Sequence, residues 1–454
     1  MQPNSNPLRS SGAIMLRQTL VCLFSLASAP ALASGFALNA QNAEALGSAM
    51  AGAQAEQAKP SVAYYNPASI VGVDHLAGSV TVFGVFADSN YDNASGTLLG
   101  AFPVSGAASG EEAIGDGVFP DAAIAARLSD RLYFGVSFNA PFGFESTYDP
   151  SSVIRYHGTR SKVVSLSATP ILGVALSDQW SVAGGVRVQY MDVKLDGVID
   201  AAGVAAASMI PGFVPGTDDV SFALQTDDIA IGYVAGIQGE ITPLLRVGFS
   251  YTSKIEHEFD GEASFNVGTS VAGQTLSALG LFQDTGLTSS LTAPAQYQFG
   301  LSFDAMPGVT LLASTTLTRW SSFDQVVIAF DNPAQPPEVI TQNWNDSWSG
   351  SAGAAFDVTP VTTARIGVMY EETSLNDTFA STRIPDADRV WLTAGVSQDL
   401  GPGATAHLSA GYILIGDRAI NQSPALPENL FRGGLTTDIS VDAVIVGAGL
   451  DFSF

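Results

Sequence analysis

Apolar and polar residues alternate one by one over many short stretches of this chain. At its end Val444, Val446, Ala448, Leu450, Phe452 and Phe454 fall on one side, while Gly447, Gly449, Asp451 and Ser453 fall on the other. A period of two is that of a β-strand with one apolar face. The same rule holds from Leu132 to Ala140, where Leu132, Phe134, Val136, Phe138 and Ala140 oppose Tyr133, Ser137 and Asn139. Between Trp180 and Leu195, Val182, Val186, Val188 and Tyr190 oppose Arg187 and Gln189. Further runs cover 245–255, 296–305, 309–320, 363–370, 390–396 and 404–415. With strands that the pattern does not delimit, the expected total is about fourteen, an even number as antiparallel closure requires. Connections come in two sizes. Short ones include Leu128-Ser129-Asp130, Thr242-Pro243 and Met306-Pro307-Gly308; long ones span roughly 89–118, 197–225, 258–291 and 419–439. Tight turns at one rim and long loops at the other are the arrangement of a membrane barrel.

One stretch breaks the alternation. Ser34 to Val73 carries Phe36, Leu38, Leu46, Met50, Tyr64, Tyr65 and Ile70 together, too apolar a set for a surface linker. It reads as a folded plug, with the rest of the chain as the wall around it. Just before it, Arg17, an apolar core from Leu20 to Leu26 and Ala31-Leu32-Ala33 fit a secretory signal cleaved ahead of Ser34, with Met15 as a candidate start. No later segment has the roughly 20 apolar residues of a spanning helix. Charged residues make up only 13% of the chain. A chain this apolar without such a helix crosses lipid as a closed barrel, because every backbone N–H and C=O must be paired there. The expected fold is therefore all-β: a transmembrane antiparallel β-barrel in a Gram-negative outer membrane, in contact with its lipid and lipopolysaccharide. A signal peptide is expected at 1–33, an N-terminal hatch at 34–74 and the barrel at 75–454, each chain forming its own barrel as a monomer.

Charge and chemistry narrow the function. The formal net charge is −25, and loss of 1–33, which holds Arg9 and Arg17 and no acid, makes it more negative. Nucleic acid phosphates would be repelled. The acids suit solvated loops and rims. The sole cysteine, Cys22, lies in the signal, so disulfides and thiolate chemistry are excluded from the mature chain. His75, His157, His257 and His407 are isolated in sequence and no nucleophile elbow is present. No catalytic residues, metal ligands or cofactor are expected. Glu256, Glu258 and Asp260 share one strand face around His257, which reads as a solvated rim.

Five short segments, in order, resemble the outer-membrane long-chain fatty acid transporter family (FadL/TodX type). They are Gly35-Phe36-Ala37-Leu38-Asn39, Asn66-Pro67-Ala68, Arg319-Trp320-Ser321-Ser322-Phe323, Trp344-Asn345-Asp346-Ser347-Trp348 and Ile384-Pro385-Asp386-Ala387-Asp388-Arg389-Val390-Trp391-Leu392. The resemblance covers essentially the whole mature chain. It implies a fourteen-stranded barrel blocked by an N-terminal hatch. It also implies uptake of long-chain fatty acids or other hydrophobic compounds, with capture on the outer loops, an internal apolar pocket and lateral exit at a strand kink. A surface adhesin or phage receptor without transport is the alternative, and an open porin a third.

Candidate site residues follow. Asn66, Pro67 and Ala68 form a turn by themselves and the hatch motif by resemblance. Asn139, Pro141 and Gly143 mark a kink: proline removes a ladder bond and glycine tolerates the bend, so the strand either opens there or simply ends. A carboxylate ligand needs a basic residue facing an apolar pocket. Lys194 is the first candidate, with Arg155, Arg160, Lys162 and Arg319 behind it. Asp196-Gly197 stands where the resemblance leads one to expect an arginine, and 326–340 has no basic residue, which leaves room for a neutral ligand. Met209, Phe213 and Phe282 are candidate ligand contacts on apolar loop patches.

Overall fold

The computed structural model describes residues 35–454, so the expected signal peptide lies outside the described residues. Fourteen antiparallel strand paths form the wall. They are β1 (Leu76–Leu98), β2 (Gly117–Arg127), β3 (Leu132–Asn139, then Gly143–Thr147), β4 (Arg160–Ala175), β5 (Trp180–Asp200), β6 (Asp219–Thr242) and β7 (Leu245–Thr252, then Ile255–Asn266). They continue as β8 (Thr285–Ala293, then Gln296–Met306), β9 (Val309–Thr318, then Gln325–Phe330), β10 (Glu338–Thr341, then Ser347–Thr359) and β11 (Thr362–Glu371). The last are β12 (Arg389–Gly401), β13 (Ala404–Ile415, then Arg418–Gln422) and β14 (Gly434–Ser453). β14 pairs with β1 from Ala77↔Ser453 to Thr97↔Gly434, which closes the ring. Closure removes both sheet edges and so satisfies the wall backbone in lipid.

The faces divide as the alternation predicts. Phe134, Phe138, Val186, Val444, Val446 and Leu450 are exposed on the outside, while Tyr133, Ser137, Arg187 and Gln189 are buried inside. The long loops are shorter than their composition suggests. Strands run well into the expected loop ranges, because paired hairpins continue past the apolar band with a polar outer face, as at Glu256 and Glu258. A different loop, 372–388, folds inward: Leu375, Ala380, Thr382, Arg383, Ile384 and Asp386 are all buried.

Residues 35–75 precede the first wall strand and fill the lumen with one short helix, α1 (Ala43–Gly47), and three 3-10 turns. Asn42 caps α1 by accepting from the Ala45 amide. Asn66 does the same for Ala68 through Oδ1, while its Nδ2 donates to Gln54 O at 2.7 Å and to Ile237 O of the wall at 3.1 Å. Pro67 starts that turn, where its missing N–H costs nothing. The wall gives way at glycine: a Cβ on Gly248 would lie 1.7 Å from Gln54 O. Gln54 also bonds Gln298 and Ser314, and Ser250 and Gln238 donate to hatch carbonyls. Two outer loops carry α2 (Ala201–Ala207) and α3 (Val271–Ala278), which pack together over Val220, Leu276 and Phe282.

At the base, Glu44 of α1 accepts from Lys59 at 2.8 Å and from Arg365 of β11. Burial raises the Glu44 carboxyl, but Lys59 and Arg365 outweigh it and hold the group well below the usual range. Burial lowers the Lys59 ammonium, but Glu44 and Glu56 outweigh it and hold the group above the usual lysine range. A depressed acid contributes stability above its unfolded pKa and loses it as pH falls through the folded value; a raised lysine contributes below its unfolded pKa and loses it as pH rises. The seat should therefore be at full strength between about pH 4.3 and about pH 10.4. Single-channel recording should find the barrel nearly silent across that window and leaking only outside it. A leak that opens inside it would contradict this.

Candidate functional site

The ladder of the wall is interrupted at several places among the described residues, and one of these lies between β2 and β3. β2 and β3 are paired only as far as Ala122↔Phe138. Contact resumes above at Gly115, whose amide donates to Glu145 O at 3.3 Å, and at the Ile114↔Ser146 bridge. Between these points the two strands share no ladder. Proline explains both edges: Pro120 lies on β2 and Pro141 in the interruption of β3, and neither offers an N–H to a neighbour.

The hatch replaces the missing strand. Ala140 O accepts from Gln41 Nε2 at 2.8 Å, and the Ala140 amide donates to Gln41 Oε1 at 3.2 Å. Pro141 O accepts from the Leu38 amide at 2.8 Å, and the Gly143 amide donates to Phe36 O at 3.0 Å. Phe142 is satisfied by Ser165 on β4, through both backbone and hydroxyl. Asn139 spans the seam just below, its amide nitrogen donating to Asp121. The expected kink residues Asn139, Pro141 and Gly143 thus lie on one rim of the break. Asn66, Pro67 and Ala68 lie elsewhere, against the wall at β6.

Phe36 anchors the replacing segment. It is fully buried among Phe142, Trp320, Phe323 and Trp344, with ring centroids 5.0–5.9 Å away. The amide of Gly35 donates to Asp386 Oδ2 at 3.1 Å, and Asp386 also holds Arg389 and Thr373. Phe36, Trp320, Phe323, Trp344 and Asp386 come from four of the short segments noted above, and the fold brings them to one place.

Phe36 is also the floor of an apolar cavity. Its walls include Phe144, Val163, Val193, Leu195, Phe259 and Leu291. A second cavity lies outward of it, lined by Phe222, Phe265, Phe282, Phe330 and residues of α2 and the 423–433 loop. The two share Leu195, Leu224, Ile328, Ile340 and Arg383. They enclose about 760 Å³ and 1010 Å³ of empty space, open mouths included.

Arg383 is the polar group at their junction. Its Nη1 donates to Ser161 Oγ at 3.1 Å and more weakly to the carbonyls of Arg160 and Asp196. It forms no ion pair among the described residues, and its buried Nε has no partner. Burial pushes its guanidinium down to about 10, against the pull of Asp196. Arg432 and Glu338, which pair with each other, and Glu428 also line the outer cavity, so Arg383 is the lining cation that is desolvated and without an ion pair among the described residues.

The basic residues expected from sequence are placed otherwise. Lys194 lines neither cavity: the two-residue period that turns Val193 and Leu195 inward sends Lys194 to the opposite face. Arg155 is held by Asp219, Arg160 and Lys162 by Glu145, and Arg319 by Asp346. Met209 is 91% exposed at a loop tip, and Phe213 packs on the α2–α3 cluster; of the three expected apolar contacts only Phe282 lines a cavity. Sequence reasoning missed Arg383, whose isolation from acids shows only in the fold. Asp386 is claimed by Arg389 three residues on, which leaves Arg383 without a local acid in an otherwise uncharged run from Thr378 to Pro385.

Replacing Phe36 by alanine should cost the docked segment about 3–5 kcal/mol. Hydrogen exchange at the Leu38 and Gly143 amides should then accelerate about 100-fold or more, since exchange follows local opening. Unchanged protection at both would contradict the anchoring role.

Comparison with known proteins agrees with this geometry. A family profile described as outer membrane protein transport protein (OMPP1/FadL/TodX) matches residues 24–454. A long-chain fatty acid transport protein of Escherichia coli is 22% identical over 89% of this chain and 92% of its own. A Pseudomonas aeruginosa FadL homologue superimposes with a TM-score of 0.85 at 22% identity, covering 92% of this chain and 100% of that one. The Ralstonia pickettii toluene transporter TbuX gives 0.66 at 17% identity over 93% and 99%. The chain belongs to the OMPP1/FadL/TodX family of outer-membrane transport proteins, which are channels for hydrophobic compounds and not enzymes.

Proposed function

We propose that this outer-membrane channel takes up a long-chain fatty acid or a similar lipid with one carboxylate and an apolar tail. Arg383 is the observation that carries the reading. A buried guanidinium without an acid partner is costly to leave unpaired, and a ligand carboxylate supplies the missing acceptors in a charge-assisted fork. The walls on either side take the tail, with burial worth about 25 cal/mol per Å². A neutral hydrocarbon would fill the same walls but leave Arg383 as it is.

Placement supports a route of entry and exit. Met209, Val214, Val271 and Leu279 are exposed around the two outer helices and offer an apolar landing patch beside the outer cavity. From there the ligand passes Arg383 to the inner cavity. Phe36 closes the floor, and the next residue, Ala37, bridges Phe142 at the break in the wall. One movement of residues 35–38 would both open the floor and vacate the seam between β2 and β3. The ligand would then leave sideways into the membrane and avoid crossing water.

Binding by the purified mature barrel in detergent tests the ligand class. Arg383→Met keeps the apolar bulk and should weaken a long-chain fatty acid about 10–100-fold, the range expected for a hydrogen bond to a charged group. A neutral hydrocarbon of similar length should be unaffected. Equal loss for both, or none for the acid, would remove the carboxylate from the account. The exit is tested separately: Pro141→Ala with Gly143→Ala should lower uptake in cells while binding stays intact, and wild-type uptake would contradict lateral exit at this strand.

A further inference from the structure

The sequence scatters Glu44, His407 and Asp451 across the chain, yet the fold brings them to one point at the base of the hatch. Glu44 projects from α1, His407 from β13 and Asp451 from β14. One ligand atom from each lies within 4.8 Å of the others. Each residue also keeps an atom with no hydrogen-bond partner: Glu44 Oε2, His407 Nε2 and Asp451 Oδ1. The His407 side chain is only 4% exposed, and its Nε2 stands 3.6 Å from Asp451 Oδ2, too far for a hydrogen bond. A buried imidazole nitrogen without a partner, beside two carboxylates that each keep an unsatisfied buried oxygen, is an arrangement that native structures rarely leave without a ligand.

The remaining atoms of these groups are occupied in ways that orient the free ones. His407 Nδ1 lies 2.7 Å from Ser397 Oγ. That hydroxyl can accept an Nδ1–H, which leaves the Nε2 lone pair free to coordinate. Asp451 Oδ2 accepts from Ser61 of the hatch at 3.0 Å. Glu44 Oε1 takes Lys59 and Arg365, so the two nearby cations sit on its other oxygen. Glu44, Glu56 and Asp451 against Lys59 and Arg365 leave the cluster net negative while the histidine is neutral. Asp451 and Lys59 also line an open cavity at the rim of short turns, with Asp399 and Phe452. That cavity provides an entry path from the periplasmic side.

We propose that Glu44, His407 and Asp451 form a site for a divalent transition metal ion of the zinc type, bridging the hatch to two wall strands. One imidazole and two carboxylates are a ligand set such ions take, with water completing the tetrahedron. Bond lengths near 2.0–2.2 Å would require the three atoms to draw together to about 3.5 Å. The metal would fix the base of the hatch and leave residues 35–38 at its other end free to move.

Equilibrium dialysis of the whole mature protein in detergent tests this. The protein is first stripped with chelator, then titrated with zinc chloride against excess magnesium to mask surface carboxylates. One saturable zinc per barrel is expected. His407→Ala should weaken it by at least about 10-fold. Asp451→Asn, which preserves an acceptor for Ser61, should do the same and serves alone if the histidine variant does not fold. Absence of stoichiometric zinc, or binding undiminished in the variants, would overturn the site.

Discussion

A backbone group facing hydrocarbon must be hydrogen-bonded, and this requirement governs the molecule. The wall meets it by closing β14 onto β1. At the interruption of β3 the wall cannot meet it alone, because proline on each side has withdrawn the ladder. There the hatch supplies the partners: Gln41, Leu38 and Phe36 satisfy Ala140, Pro141 and Gly143 in turn. The plug is thus a missing piece of wall as well as a stopper. Its N-terminal segment cannot move without leaving the backbone groups of Ala140, Pro141 and Gly143 without these partners.

That coupling explains why the cavity sits where it does. Phe36 is at once the floor of the apolar chamber and the anchor of the segment that fills the gap. Its neighbour Gly35 is tied to Asp386 on the same inward loop that presents Arg383. A ligand that engages Arg383 therefore acts on the loop that holds the hatch terminus. The base of the hatch is held quite differently, by ion pairs around Glu44 and by close backbone approach at wall glycines. The lateral exit proposed above needs a plug that is fixed below and released above, and this difference in anchoring supports it.

The fold was largely legible in the sequence, and the site only partly. Alternation along strands such as 132–140 and 444–454 reads directly, because each wall strand has one face in lipid. The interruption of β3 was visible in Pro141 and Gly143, since proline acts locally on the backbone. The cation was not. Lys194 was favoured by its place near a strand end, but a single residue of register decides which face it meets, and Val193 and Leu195 take the inner one. Arg383 sits in a loop whose inward fold depends on contacts with Ser146, Tyr148 and Gln422, all distant in sequence. Met209 and Phe213 do not line the cavities: one is solvent-exposed at a loop tip and the other supports two short helices. Local pattern reports local geometry; convergence of far-apart side chains is a property of the closed barrel.

The most direct test is to tie the hatch terminus to the break. Ala37 and Phe142 form an isolated antiparallel bridge. Their flanking bonds, Leu38 to Pro141 and Gly143 to Phe36, make it the closely spaced kind of pair, about 4.5 Å between Cα atoms. That spacing suits a disulfide. The only native cysteine is Cys22, ahead of the described chain, so Ala37→Cys with Phe142→Cys introduces a single clean cross-link. Uptake of a labelled long-chain fatty acid should be abolished in the oxidised protein and restored by reductant, with ligand binding present in both. Equal uptake in the oxidised and reduced forms would contradict exit through this seam.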